Sequence, residues 1–421
     1  MNNRSLEYEK IIDLLNTYHQ EHVIQRLNQL DEKSREKLLN QLSQIDLELI
    51  TKIYEETTGN GEIEYKENKI EPISYVDKNK LNDTEKQEYI SVGNEIIKSE
   101  KFAVITMAGG QGTRLGHSGP KGTYLLIDEK SLFELLCENL KNAQKVYGVE
   151  IPWFIMTSEE NHNETVEFFE ENNYFEYSKS KVHFFKQKEM PMLDSSGKLM
   201  FKNKDTILEA SDGNGGVFTA LIKNKILEKL KQDEIEWILV GGVDNVLFKM
   251  IDPLFLGMTI NKNIKSASKS VVKSNPNEKV GVFCRKNGKT SIIEYTELPK
   301  EMRTLRDEDN ELLYGESNII SHLFHIDVLS NIEDSKMPYH AAFKKAAYVD
   351  ENGKKIKPDS PNAYKFESFI FDAFSMIDEM GLLRVNREEE FAPVKNATGV
   401  DSPETARVLY ENYWKKKESS N

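Results

Sequence analysis

The sequence predicts an α/β protein built on a doubly wound, largely parallel sheet. Two observations point there. Between residues 102 and 244, apolar runs of strand length alternate with amphipathic stretches of helical period, the pattern of strands joined by crossover helices. The most glycine-rich and polar signals directly follow two of those apolar runs, where ligands bind in such sheets. At 421 residues the chain is long enough for a sizeable core, or for two or three packed parts.

Taken in order, Ser5 to about Glu56 carries apolar residues at helical spacing (Ile11, Leu14, Leu15, Val23, Leu27, Leu30, Leu38, Leu42) without Gly or Pro, and predicts two or three amphipathic helices. Residues 57–80 lose the period and read as a surface linker, followed by a short helix over 84–100. "FAVITM" (102–107) is the first strand and "SLFELLCENLKNAQKVYG" (131–148) a helix. "PWFIMTS" (152–158) and "NETVEFFEEN" (163–172) repeat the strand–helix unit. "KVHFFK" (181–186), a helix at about 217–232 and "EWILVGGVD" (236–244) continue it. Beyond residue 270 the chain turns β-rich, and "KNGK" predicts a hairpin turn. "FESFIFD" (366–372) spaces its aromatics as a helix would and reads mostly as core, and the "KKKESSN" end reads as a solvated tail.

Composition narrows the function. With 56 basic against 70 acidic residues and a net charge of −14, the chain lacks the basic face that nucleic acids and anionic membranes require, so neither partner is expected. Two cysteines, Cys137 and Cys284, build neither a zinc site nor a disulfide framework. The N-terminus shows no signal-type apolar run, and no stretch approaches the roughly 18 apolar residues of a membrane span; a cytoplasmic setting is expected.

"MAGGQGTRLGHSGPKG" (107–122) sets six glycines beside one arginine and one lysine. Backbone N–H groups converge on an anion where no Cβ obstructs them, so Gly109, Gly110, Gly112 and Gly116 after a strand point to phosphate cradling. The P-loop pattern fails because Lys121 sits between Pro120 and Gly122, and the dinucleotide fingerprint fails at Leu115. A kinase-type loop fails at the same leucine and lacks its partner motifs. What remains is a glycine loop carrying its own cations, Arg114 and Lys121, suited to holding a triphosphate and neutralising charge that moves between phosphate oxygens. Asp244, at the end of "WILVGGVD", is placed to hold Mg²⁺ bridging phosphates; phosphate oxygens and water would complete its shell.

These residues carry a resemblance. The loop, with its proline–lysine, resembles the signature of sugar nucleotidyltransferases, in the form found in eukaryotic-type UDP-N-acetylhexosamine pyrophosphorylases. "IPWFIMTS", "DGNGG", "VDN", "VGVFCR", "EYTEL", "NII" ahead of "HLF", "KPDSPNAYKFESFIFD" and "EEEFAPVKNA" are similar to the same family in the same order, over nearly the whole chain. The resemblance implies a Rossmann-like mixed sheet of the nucleotidyltransferase type. Around it would lie an N-terminal helical region with linker (1–95), a catalytic domain (96–400) whose β-rich sugar-binding part covers about 265–330, and a C-terminal helix and tail (401–421).

It also implies roles. Ala108, Gly109, Gly110, Gln111, Gly112, Thr113, Gln187 and Gly213 would bind the nucleotide, the last two through the uracil. Asn214, Gly281, Glu294, Tyr295 and Asn318 would contact the sugar, and Lys395 would return to the phosphates beside Arg114 and Lys121. The implied reaction is uridylyl transfer from UTP to N-acetylglucosamine 1-phosphate. Glucose, galactose or N-acetylgalactosamine 1-phosphate stays open as an alternative, as does a regulator that binds a sugar nucleotide without turnover. The chain ends at Asn421, soon after Lys395, and a monomer is expected.

Overall fold

The computed structural model describes residues 3–59, 69–333 and 337–419. The chain divides into two compact units, one drawn from Met1–Tyr65, Lys188–Gly216 and Met337–Phe369, the other from Lys66–Gln187, Val217–Lys336 and Ile370–Asn421. The chain passes between the units at 65/66, 187/188, 216/217, 336/337 and 369/370, and so not at 95/96 or 400/401.

In the first unit, four helices (Asn3–Thr17, Glu21–Gln29, Glu32–Leu42, Leu47–Thr58) replace the expected two or three. Aspartates make the extra breaks: Asp31 and Asp46 accept from the backbone N–H of Ser34 and Leu49 and cap the third and fourth helices. The apolar faces bury Leu15, Val23, Leu27, Leu38 and Ile50 with Leu193, Phe201, Ile207 and Phe366 of the later segments. Those segments bring small antiparallel sheets, among them Ala363–Glu367 between His340–Lys344 and Leu193–Asp194. Phe366 is thus a buried strand residue, where the sequence spacing predicted a helix; Ile370–Met376 beyond it is 3-10 helical.

The second unit holds the large sheet. Val76–Asp77, Gly381–Arg384, Ser266–Val272, Glu316–His325, Trp237–Gly242, Phe102–Met107, Trp153–Thr157 and Val182–Lys186 lie side by side in that order. The sheet is mixed. Glu316–His325, ten residues long, runs antiparallel to both its neighbours, and the remaining neighbours on this path pair in parallel. Val282–Lys286 and Lys289–Ile293 form the predicted hairpin, its Asn287–Gly288 turn at φ 51° and 80° as a type I′ turn requires.

Three further expectations shift. Of the linker 57–80, residues 60–68 lie outside the described residues, while Ile70–Glu71 pairs with the hairpin and Val76–Asp77 joins the sheet. The helix expected at 217–232 is two, Gly216–Lys223 and Ile226–Gln232, broken at Lys225 in the left-handed region. Of the expected tail, residues through Ser419 extend the Pro403–Ser419 helix, and 420–421 lie outside the described residues.

Strands Phe102–Met107 and Trp153–Thr157 are buried throughout, and Trp153 packs edge-on against Phe133 and Phe169. Helices Asp83–Lys98 and Pro253–Asn261 cross closely, because a Cβ on Gly93 would lie 2.0 Å from the Pro253 carbonyl oxygen and one on Gly257 1.8 Å from that of Tyr89.

Candidate active site

The site is built where two parallel strands end together. Met107 pairs with Gly242, and the Val243 N–H donates to the Met107 carbonyl at 3.1 Å. The glycine loop and Asp244 therefore leave the sheet side by side. The loop then folds on itself: Gly112 N–H donates to Gly119 O at 3.0 Å, Lys121 N–H to Gly110 O at 3.0 Å, and Gln111 bridges to Pro120. Between these ties Thr113–Leu115 makes one 3-10 turn that leaves Thr113 and Arg114 exposed. Arg114 makes no hydrogen bond or ion pair within the described residues.

Close packing explains one glycine and open space another. A Cβ on Gly109 would lie 2.0 Å from Oε1 of Gln187, so the family-matched glutamine presses directly on the loop, its own N–H held by Thr157 O at 2.8 Å. A Cβ on Gly110 would meet nothing within 4 Å. Asn161, which the sequence reading missed, is fully buried and donates from Nδ2 to Ala108 O at 2.9 Å, fixing where the loop leaves the strand. Its signal was a serine–asparagine pair, Ser158 and Asn161, turning the chain after a strand; that pattern is common to many turns.

The cations and the carboxylate converge. Lys121 Nζ lies 3.6 Å from Asp244 Oδ2, with side chains 12% and 24% exposed. Segment 390–395 runs back to the same strand end, where Val394 N–H donates to Asp244 O at 2.8 Å, so Lys395 follows the residue tied to Asp244. Lys395 Nζ lies 3.9 Å from Asp401 Oδ2 and 5.4 Å from the Phe391 ring centroid. Asp401 was also missed, and nothing local in the sequence marks it. Burial pushes its carboxyl up, and Lys395 partly offsets this.

The expected sugar-side residues gather around the hairpin. Val282 pairs with Ile293, which sets Gly281 beside Glu294; a Cβ on Gly281 would come within 2.9 Å of Glu294 Oε1. Asn318 N–H donates to Gly281 O at 2.9 Å, and Asn318 Oδ1 accepts from Ile320 N–H at 2.9 Å. That bond holds Ile320 at φ 54°, a costly conformation for a β-branched residue, within a bulge opposite Ser268–Ser270. Burial raises the Glu294 carboxyl above its ordinary range, Glu297 adds to this, and Lys395 opposes it. Tyr295 is exposed. Gly213 and Asn214 belong to the other unit, where Gly213 at φ 87° would set a Cβ 2.3 Å from Ser368 O.

Within the second unit, then, the structure brings the glycine loop, Gln187, Lys121, Asp244 and Lys395 to one end of the sheet, and Gly281, Glu294 and Asn318 to one corner of the hairpin. Among the described residues no three His, Cys, Asp or Glu side chains converge to hold a metal unaided. No described helix is long and apolar enough to cross a membrane.

Residues 16–406 match the profile of the UDPGP family, described as UTP–glucose-1-phosphate uridylyltransferase. The chain belongs to this family. Among its relatives, the UDP-N-acetylglucosamine pyrophosphorylase of Saccharomyces cerevisiae is 41% identical over 78% of this chain and 72% of its own length. The human UDP-N-acetylhexosamine pyrophosphorylase-like protein 1 is 39% identical over 75% of this chain and 66% of its own length. The Trypanosoma brucei uridine diphosphate N-acetylglucosamine pyrophosphorylase structure superposes with a TM-score of 0.81 at 30% identity, covering 96% of this chain and 84% of that one. The family match and this superposition bear out the mixed nucleotidyltransferase-type sheet.

Proposed function

We propose that this uridylyltransferase joins UTP to N-acetylglucosamine 1-phosphate, giving the UDP-sugar and pyrophosphate. The observation that carries the reading is the meeting of Lys121, Asp244 and the 390–395 segment beside the glycine loop. The relatives' names supply the sugar, and the alternatives with other hexose 1-phosphates enter as arms of the test.

A phosphate oxygen of the sugar 1-phosphate attacks the α-phosphorus of UTP in line. The new O–P bond forms as the bond to the bridging oxygen breaks, and the electron pair leaves on pyrophosphate. No serine, cysteine or histidine intermediate is required, so catalysis rests on positioning and charge neutralisation. The loop from Ala108 to Thr113 cradles phosphate oxygens with main-chain N–H groups, and Gln187 offers its amide to the uracil. Lys121 and the exposed Arg114 neutralise the α-phosphoryl and the leaving pyrophosphate, and Lys395 holds the incoming sugar phosphate. Glu294, Asn318 and the Gly281 main chain hold the hexose, with Tyr295 at the rim. Gly213 and Asn214 keep the nucleotide and sugar roles that the resemblance implies.

The donor set fits Mg²⁺. Asp244 is a part-exposed carboxylate at a strand end, and phosphate oxygens and water would supply the other hard ligands. Bound there, the ion would neutralise phosphate charge. A cytoplasmic, monomeric protein completes the proposal; Cys137 and Cys284 are both free and buried.

The test is pyrophosphate release from UTP and Mg²⁺ with the four N-acetylated and plain gluco and galacto 1-phosphates. Release fastest with N-acetylglucosamine 1-phosphate is expected. Release with a plain hexose alone would keep the mechanism and overturn the sugar.

A further inference from the structure

Pro393 creates a gap where segment 390–395 meets the strand end. Asn245 and Pro393 face each other as an isolated antiparallel bridge, but proline has no N–H to donate, so the backbone there cannot complete a regular ladder. Two backbone bonds flank the gap, Val246 N–H to Ala392 O at 3.2 Å and Val394 N–H to Asp244 O at 2.8 Å. The Asn245 side chain, 4% exposed, fills it from both directions: Nδ2 donates to Glu390 O at 2.7 Å, and Oδ1 accepts from Ala392 N–H at 2.9 Å. Oδ1 also receives Leu247 N–H at 3.3 Å, which fixes the plane of the amide.

The far end of the segment is anchored too. The Glu390 carboxylate meets Lys269 Nζ at 2.8 Å and Lys249 Nζ at 3.0 Å. Residues 390–394 are therefore pinned at every second backbone position, and the next residue is Lys395. The short planar amide supplies a donor and an acceptor at once and on two different atoms; aspartate cannot donate, and alanine does neither.

We infer that Asn245 is a positioning residue that holds Lys395 in register with Asp244 by clamping the 390–394 main chain. It reaches neither phosphate nor metal and acts through its neighbours. The inference rests on the uridylyl-transfer reading for its kinetic arm only.

In that arm, kcat is measured with UTP, Mg²⁺ and N-acetylglucosamine 1-phosphate. Asn245→Asp, which keeps the shape but faces a carboxylate against the Glu390 carbonyl, and Asn245→Ala are each expected to lower kcat about 10–100-fold. The double variant Asn245→Ala/Lys395→Ala is expected to be no slower than Lys395→Ala alone, because residues acting as one unit do not add. Losses that multiply, or wild-type kcat in both single variants, overturn the inference.

Hydrogen exchange of the Ala392 and Val394 amides in the substrate-free protein reads the clamp without turnover. Exchange roughly tenfold faster in Asn245→Ala is expected, and unchanged exchange overturns the inference even if kcat falls. Should Asn245→Ala show no cooperative melt, Asn245→Ser, which keeps a hydroxyl, undergoes the same two measurements under the same criteria. A wild-type protein without turnover would count against the proposed function alone, and the exchange arm would still decide the clamp.

Discussion

Two charge clusters in the second unit are made of the same residue types and do different work. In one, Lys269 is fully buried between Asp252 at 2.6 Å and Glu390 at 2.8 Å, with Lys249 reaching the other Glu390 oxygen. In the other, Lys121 and Asp244 are part-exposed and stand 3.6 Å apart, and Lys395 and Asp401 stand 3.9 Å apart. The buried lysine has two short charge-assisted bonds, the geometry that compensates desolvation. The lysines of the second cluster hold loose contacts beside an open glycine loop, so their charge is still available to a ligand. The difference separates scaffold from proposed site: satisfied charges fix the fold, and under-satisfied charges at a strand end are the ones the proposed reaction assigns to phosphate.

Breaking the buried cluster gives the largest expected effect. Lys269→Ala leaves the buried Asp252 without its short ion-pair partner and Glu390 with Lys249 and the more distant Lys78 alone, and is expected to cost about 3–5 kcal/mol of stability in denaturant unfolding. A loss near zero would place Lys269 outside the scaffold. Breaking the exposed cluster acts on rate. Lys121→Ala is expected to lower kcat about 10²–10³-fold, with UTP affinity by calorimetry changed far less; intact kcat would remove its catalytic role.

Acid separates the clusters next. Burial alone would raise the Asp252 carboxyl, but Lys269 first, and then Lys78 and Lys249, hold it below its ordinary 3.8. A depressed folded pKa contributes stability that is present above the unfolded value and lost as pH falls below it, so wild-type stability is expected to drop below pH about 4. Unfolding curves for Lys269→Ala should show a shallower drop over that range. The smallest effect sharpens the contrast: Lys121→Ala is expected to move stability by only about 0–1 kcal/mol, as part-exposed pairs do, despite its large kinetic loss.

Local signals made much of this legible in the sequence. The glycine loop, Arg114, Lys121 and Asp244 follow strands whose apolar runs are plain, and the Asn287–Gly288 hairpin announced itself in "KNGK". Long-range closure did not show. Segment 390–395 comes to Asp244 because the main chain of Asp244 and Val246 and the side chain of Asn245 tie to residues 390–394, across a separation that no periodicity records. Asn161, through Ala108 O and Gly110 O, and Asp401, through the Lys395 and Asn396 N–H groups and the Lys395 side chain, act by contacts with no spacing rule of their own. The strand direction of Glu316–His325 and the return of 188–216 and 337–369 to the N-terminal helices are likewise set by tertiary pairing. At 366–372 aromatic spacing gave the wrong element: burial alternates over Phe366, Ser368 and Ile370, and Phe369 and Phe371 are only half-buried, so the helical spacing of the three rings does not mark one buried face.

If the end of the sheet beside Lys121 and Asp244 transfers uridylyl groups to an N-acetylated sugar phosphate, as proposed, turnover depends on Lys121. Pyrophosphate release from UTP and N-acetylglucosamine 1-phosphate, compared in wild type and Lys121→Ala, tests it most directly. Rapid release by wild type that nearly vanishes in the variant is expected. Equal release by both proteins, or none by wild type with any of the four sugar phosphates, would contradict it.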